Sequence, residues 1–179
     1  MANTVKSTIR SRRVTVLAAP GIAGGELRIV RAALVSAGAH VEVIAALLGD
    51  LPTAEGHTVN VERSLLTTAS AMYDAVFVPG GSAAVEAMES DGAFIHFINE
   101  AFKHCKPIGA SGEGVDLLLA SDIQGIDLAD PQTSPPLLSD QGVVTTRDVS
   151  DLDPFAQALI ASIMVHRHWD RRDAEAVPA

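Results

Sequence analysis

Apolar residues in this chain fall into short β-branched runs that stop at Gly or Pro. Each run gives way to a stretch with an apolar residue every three or four positions, so strand and helix periods alternate. Residues 13–19 predict a buried strand ending at Pro20-Gly21. Leu27, Val30 and Leu34 then mark one face of a helix over 26–37, which Gly38 stops, and Val41, Val43 and Ile44 begin a second strand. Residues 51–67 are polar and turn-rich, and the alternation of Val59 and Val61 predicts a short hairpin or edge strand. A third core strand is expected over 75–79, with Gly80-Gly81 opening the next helix. Helical stretches follow over 83–89 and 92–104, and a strand over 106–110 enters a Gly-rich elbow. Residues 122–142, rich in Asp, Pro and Ser, have no period and read as a surface excursion placed to cover that elbow. A late strand over 143–146 and a final helix with Phe155, Leu159 and Ile163 on one face, running to about His166, complete the pattern. The expected class is α/β, a mostly parallel, doubly wound sheet with right-handed crossovers.

The 179 residues, 47% of them apolar, suit one domain over 13–179, preceded by an arm over 1–12. That arm carries Lys6, Arg10 and Arg12 with no acid and reads as a solvated linker rather than a targeting segment. The longest apolar runs are far shorter than the roughly 20 residues of a membrane helix. A formal charge of −9 argues against general nucleic-acid affinity. The single cysteine, Cys105, excludes an internal disulfide and points to a reducing compartment, the cytoplasm by default.

The run KPIGASGEGVDLLL, from Lys106 to Leu119, reads as strand, elbow and helix start, and its apex residues are Ser111, Gly112 and Glu113. A strict Gly-x-Ser-x-Gly elbow fails because Glu113 stands at its second glycine. Ser111 needs a base to become a nucleophile, but His104, His166 and His168 sit near predicted helix ends, as capping or exposed residues do. Glu113 reads as a group that satisfies backbone donors. Cys105 precedes the strand and reads as a structural thiol. No histidine spacing supports a metal site. Gly24-Gly25 and Gly80-Gly81 precede helices and so offer phosphate-binding geometry, yet both lack a nucleotide-binding pattern. Trp169, beside Arg167, Arg171 and Arg172, reads either as a cation-π or partner contact or as an ordinary amphipathic anchor.

APGIAGGEL after the first strand, VPGG from Val78 to Gly81 and KPIGASGEG at the elbow together resemble the ThiJ/PfpI superfamily. The resemblance implies a flavodoxin-like three-layer sandwich of the class I glutamine-amidotransferase type. The family's elbow carries a nucleophilic cysteine followed by histidine; matching Lys106, Pro107 and Gly114 puts Gly112 and Glu113 at those positions. Glu26 matches the family's acid beside the nucleophile, and without a thiol it is expected to have no partner to tune. The resemblance thus implies a vestigial elbow of Ser111, Gly112, Glu113 and Glu26, with no catalytic residue, cofactor or metal.

The vacated elbow, the basic arm and the ending HRHWDRR followed by AVPA resemble, more narrowly, the C-terminal domain of large-subunit catalases, from about Arg12 to Ala179. That resemblance implies haem in a catalase core rather than in this domain, where the only tyrosine, Tyr73, lacks a haem-ligating context. It also implies partnership with that core in a homo-oligomer and chaperone-like holding of client proteins. The alternatives are a stand-alone ThiJ/PfpI hydrolase or carbonyl-processing enzyme using Ser111 or Glu113 with Glu26, and a small-ligand sensor using the empty elbow.

Overall fold

In the computed structural model, which describes residues 7–132 and 136–178, the chain runs β1 (Arg13–Leu17), α1 (Gly24–Ser36), β2 (His40–Ala45), β3 (Gly49–Pro52), β4 (Thr58–Val61), β5 (Arg63–Ser64) and β6 (Ala75–Val78). It continues through α2 (Ser82–Glu89), α3 (Gly92–Lys103), β7 (Ile108–Ser111), α4 (Gly114–Leu119), β8 (Leu137–Asp140), β9 (Val143–Thr146) and α5 (Asp153–Val165). Seven strands form one sheet in the order β5-β2-β1-β6-β7-β9-β8; only the edge strand β8 is antiparallel to its neighbour. Strands β3 and β4 pair as a separate hairpin.

The central strands are continuous apolar runs because both faces are covered. Every residue of β6 and all of β1 after Arg13 are buried. On one side α1 packs against α5; on the other α2 packs with α3 and α4. The predicted face of α1, Leu27, Val30 and Leu34, is its buried face. Phe77 of β6 and Phe155 of α5 join sheet to helix with ring centroids 5.7 Å apart. The result is the flavodoxin-like three-layer sandwich, and among the described residues no helix is long and apolar enough to cross a membrane.

Three segments depart from the sequence-based expectation. Lys106 does not open the strand: its N–H goes to Ala101 O at 3.0 Å, ending α3, and its side chain turns inward until the residue is 2% exposed. There Nζ donates to Ser70 O at 2.5 Å, and burial pushes the ammonium down to about 8. Strand β7 is therefore displaced toward Ser111. The aperiodic excursion contains β8, joined to β9 through Gln141 and Gly142 with φ of 48° and 85°, a tight turn of the kind that connects antiparallel strands. At the amino end, Ile9 is buried and Ser11 N–H reaches Gly38 O, so among the described residues the packing extends into the arm as far as Ile9.

Residues after α5 pass beneath the amino ends of the strands. Arg171, 5% exposed, donates to the carbonyls of Gln141, Phe102 and Lys106 at 2.8 to 2.9 Å, with its guanidinium 4.4 Å from the Phe102 ring centroid. The arginine anticipated beside Trp169 thus lies in the interior, stacked on a phenylalanine, while Trp169 is exposed. His168 places Nε2 3.0 Å from Ser162 Oγ, and His166 lies 3.4 Å from Asp74, so the two histidines diverge. Cys105 is buried, as a structural thiol would be.

Candidate functional site

The sheet order reverses between β1 and β6, and in doubly wound sheets the crevice at the carboxyl ends of such strands is the usual ligand position. Three elements converge there. Glu26 comes from the first turn of α1, Gly80 and Gly81 follow β6, and Ser111 ends β7. Glycine is required where these turns touch: a side chain on Gly114 would overlap the carbonyl oxygen of Val78 and lie 2.7 Å from that of Pro79.

Ser111 is fully buried, and its Oγ donates to Glu26 Oε2 at 2.5 Å. The same carboxylate oxygen accepts Gly80 N–H at 3.0 Å. With no thiol to tune, Glu26 is paired instead with a hydroxyl and a peptide N–H. Its second oxygen, Oε1, faces the apex: a Cβ on Gly112, which has φ +53°, would lie 3.0 Å from it and 3.3 Å from Val149 Cγ1. The apex is capped by Val149 and by Arg147. Arg147 donates to Gly112 O at 3.2 Å and makes a two-pronged ion pair with Asp116 at 2.5 and 2.9 Å. The loop after β9 thus supplies groups that press on the elbow, and Arg147 is itself held by Ala129 O of the excursion at 3.2 Å. Nothing in the spacing of Arg147 announced this, because its partners are brought in by the pairing of β7 with β9.

Glu113 satisfies backbone donors as expected, but on a neighbouring turn. It accepts Gly81 N–H at 3.0 Å and lies 3.5 Å from Ser82 Oγ, and the Gly81 hydrogen bond holds its carboxyl below the usual range. Glu26 is shifted the other way. Burial, the dominant effect, outweighs the hydrogen bonds from Ser111 and Gly80, and the nearby Glu113 charge adds to the rise.

These carboxylates decide what the glycine pairs can bind. Glu26 and Glu113 occupy the N–H groups of Gly80 and Gly81, and Glu55 takes those of Gly24 and Gly25 at 3.0 and 3.1 Å. Donors that would receive a phosphate are already bonded to the protein's own anions, so neither pair fits a nucleotide. Among the described residues no three His, Cys, Asp or Glu side chains gather to hold a metal. The partners of Ser111 and Glu26 are a carboxylate, a hydroxyl and a peptide N–H, with no imidazole among them.

A carboxyl whose pKa is raised on folding binds its proton more tightly in the native state, so its contribution falls as pH rises from the ordinary carboxylate range through the folded value. Glu26→Gln, which carries no such proton, should therefore gain stability relative to the parent as pH rises from the ordinary carboxylate range toward neutrality. Melting curves of both proteins across that range test this; a constant difference between them would refute it.

The family model of the C-terminal domain found in long catalases matches residues 10–173. Catalase HPII of Mycobacterium avium is 42% identical over 96% of this chain and 24% of its own length. Catalase-2 of Bacillus subtilis is 37% identical over 96% of this chain and 22% of its own. The chain thus spans about a quarter of the curated relatives it matches. Among solved structures, a two-domain protein of Anabaena variabilis with DJ-1/ThiJ/PfpI-like and ferritin-like domains aligns with a TM-score of 0.78 at 21% identity, over 85% of this chain and 50% of that one. Oxidized DJ-1 of Toxoplasma gondii gives 0.77 at 18% identity, over 93% of this chain and 95% of that one. The structures share the fold; the sequence match over residues 10–173 makes this chain a member of the family of C-terminal domains found in long catalases.

Proposed function

We propose that this chain serves as the non-catalytic C-terminal domain of a cytoplasmic large-subunit haem catalase. In this reading a separate core holds haem and decomposes hydrogen peroxide, while the domain strengthens the homo-oligomer and restrains unfolding client proteins from aggregating. The observation that carries the non-catalytic part is the elbow itself: its apex, Gly112, has no side chain, and the acid beside it is closed onto Ser111 at 2.5 Å and onto Gly80. A hydrolase built on Ser111 is disfavoured, because that hydroxyl is fully buried and is not presented to a substrate.

An antibody raised against this chain, used on lysate of its native host, tests the reading. The expected band is a polypeptide several times larger than 18.7 kDa that co-purifies with haem and with peroxide decomposition. A haem-free band near 18.7 kDa would overturn it. In the larger protein, removal of this domain should lower the temperature at which the oligomer dissociates.

A further inference from the structure

The most exposed large apolar side chains among the described residues are Leu66, Leu47 and Leu48, at 85%, 74% and 66%. They share one edge of the sheet. Ala45 of β2 stands opposite Ser64 of β5, and Ser64 Oγ donates to Ala46 O at 3.0 Å while accepting Leu66 N–H at 3.2 Å. One hydroxyl thus ties the backbone just before Leu47 to that of Leu66. Leu47 and Leu48 in turn rim a cavity of about 380 Å³ whose apolar walls include Ala45, Leu51, Val61 and Phe94. Solvent-exposed leucines bordering an apolar cavity mark an interaction surface.

The charge around it selects the occupant. The charged residues lining the cavity are Asp50 and Asp91, with no Lys, Arg or His. Arg63, on the adjoining edge, is engaged by Glu42 at 3.3 Å. A second copy of this chain would bring the same acidic rim and another formal charge of −9. An anionic lipid surface would meet no cation on the cavity wall. β5 is also the outermost strand of its side of the sheet, so an extended chain can lie along it. From these features we infer that the Leu47–Leu48–Leu66 edge receives an extended polypeptide segment bearing large apolar side chains flanked by lysine or arginine. The inference rests on this surface and goes beyond the oligomer role; it gives client holding a location at the opposite end of the strands from Arg171.

The test uses the whole chain and fluorescence anisotropy of a labelled peptide of alternating leucine and valine with lysines at both ends. Saturable binding is expected, weakened about tenfold or more by the triple change Leu47→Ser, Leu48→Ser and Leu66→Ser. All three side chains are exposed, and circular dichroism checks that the fold is retained. Asp50→Asn should weaken the lysine-flanked peptide several-fold and leave an uncharged serine-flanked version unaffected. Absence of saturable binding would overturn the inference. So would equal binding of a glutamate-flanked peptide, unchanged affinity in the triple variant, or a dimer of the chain that dissociates when the leucines are replaced. Heat aggregation of a test protein, measured in parallel, reports on client holding separately: protection that survives the triple change removes this edge from that role without touching the role itself.

Discussion

Arg171→Ala should lower the melting temperature by about 10 °C, with a loss of about 3 to 4 kcal/mol. The guanidinium is charged, since burial pushes it down only to about 10, and it satisfies three main-chain carbonyls from three separate parts of the fold. A hydrogen bond from a charged donor contributes roughly 1.5 to 3 kcal/mol, and stacking on Phe102 at 4.4 Å adds about 1 to 2. Against this stands the desolvation of a cation with no carboxylate among its hydrogen-bond partners, several kcal/mol that the alanine variant recovers. The balance falls on the side of loss because truncation also leaves a cavity beneath the sheet and orphans the Lys106 and Gln141 carbonyls. Arg171→Lys separates charge from geometry: its single ammonium cannot reach three divergent carbonyls, so it should recover less than half of the loss. A melting temperature unchanged in Arg171→Ala would mean that the segment after α5 is not anchored through this side chain.

Gly81→Ala is expected to cost a similar amount, about 3 to 4 kcal/mol, for a different reason. Gly81 has φ +110°, a conformation that an L side chain adopts only with about 1 to 2 kcal/mol of strain. The added methyl would also overlap the Gly21 carbonyl oxygen and sit 2.7 Å from Ala23 N. Both obstacles are backbone, so the turn itself must shift, an overpacking cost of about 1 to 3 kcal/mol. The shift would pull apart the hydrogen bonds from Ala23 to Gly80 O and from Gly81 to Glu113, which join the loops after β1, β6 and β7. Gly25→Ala is the control: its methyl would meet only Glu55 Oε1, at 3.7 Å, in the first turn of α1, and should be neutral or slightly stabilising. Equal melting temperatures for the two variants would show that the Gly21–Gly81 contact is not a constraint.

The order of elements, the parallel sheet, the buried face of α1 and the elbow after β7 were legible in the chain, because each depends on local periodicity and on glycines that must punctuate it. The family resemblance was carried by the same short segments. The basic arm was legible in composition, yet Ile9 inside it is core, and one apolar residue in a polar stretch gives no period to read. Strand β8 was missed because its Leu-Leu-Ser-Asp has no alternation; it exists through pairing with β9. Lys106 and Arg171 were misplaced for a related reason: long cationic side chains usually mark surface, and these two go inward because carbonyls at Ser70, Phe102 and Gln141 with a lone pair to offer lie within their reach. The Glu26–Ser111 bond joins residues 85 positions apart, and the cover of Arg147 on the elbow spans 35, so neither leaves a local signature. Sequence by itself determined the alternation of the central strands and helices and that Gly112, at the elbow, bears no side chain. Tertiary structure alone decided which carboxylate meets which hydroxyl or N–H, since hydrogen bonds are set by where strand ends converge, and period carries no record of that convergence.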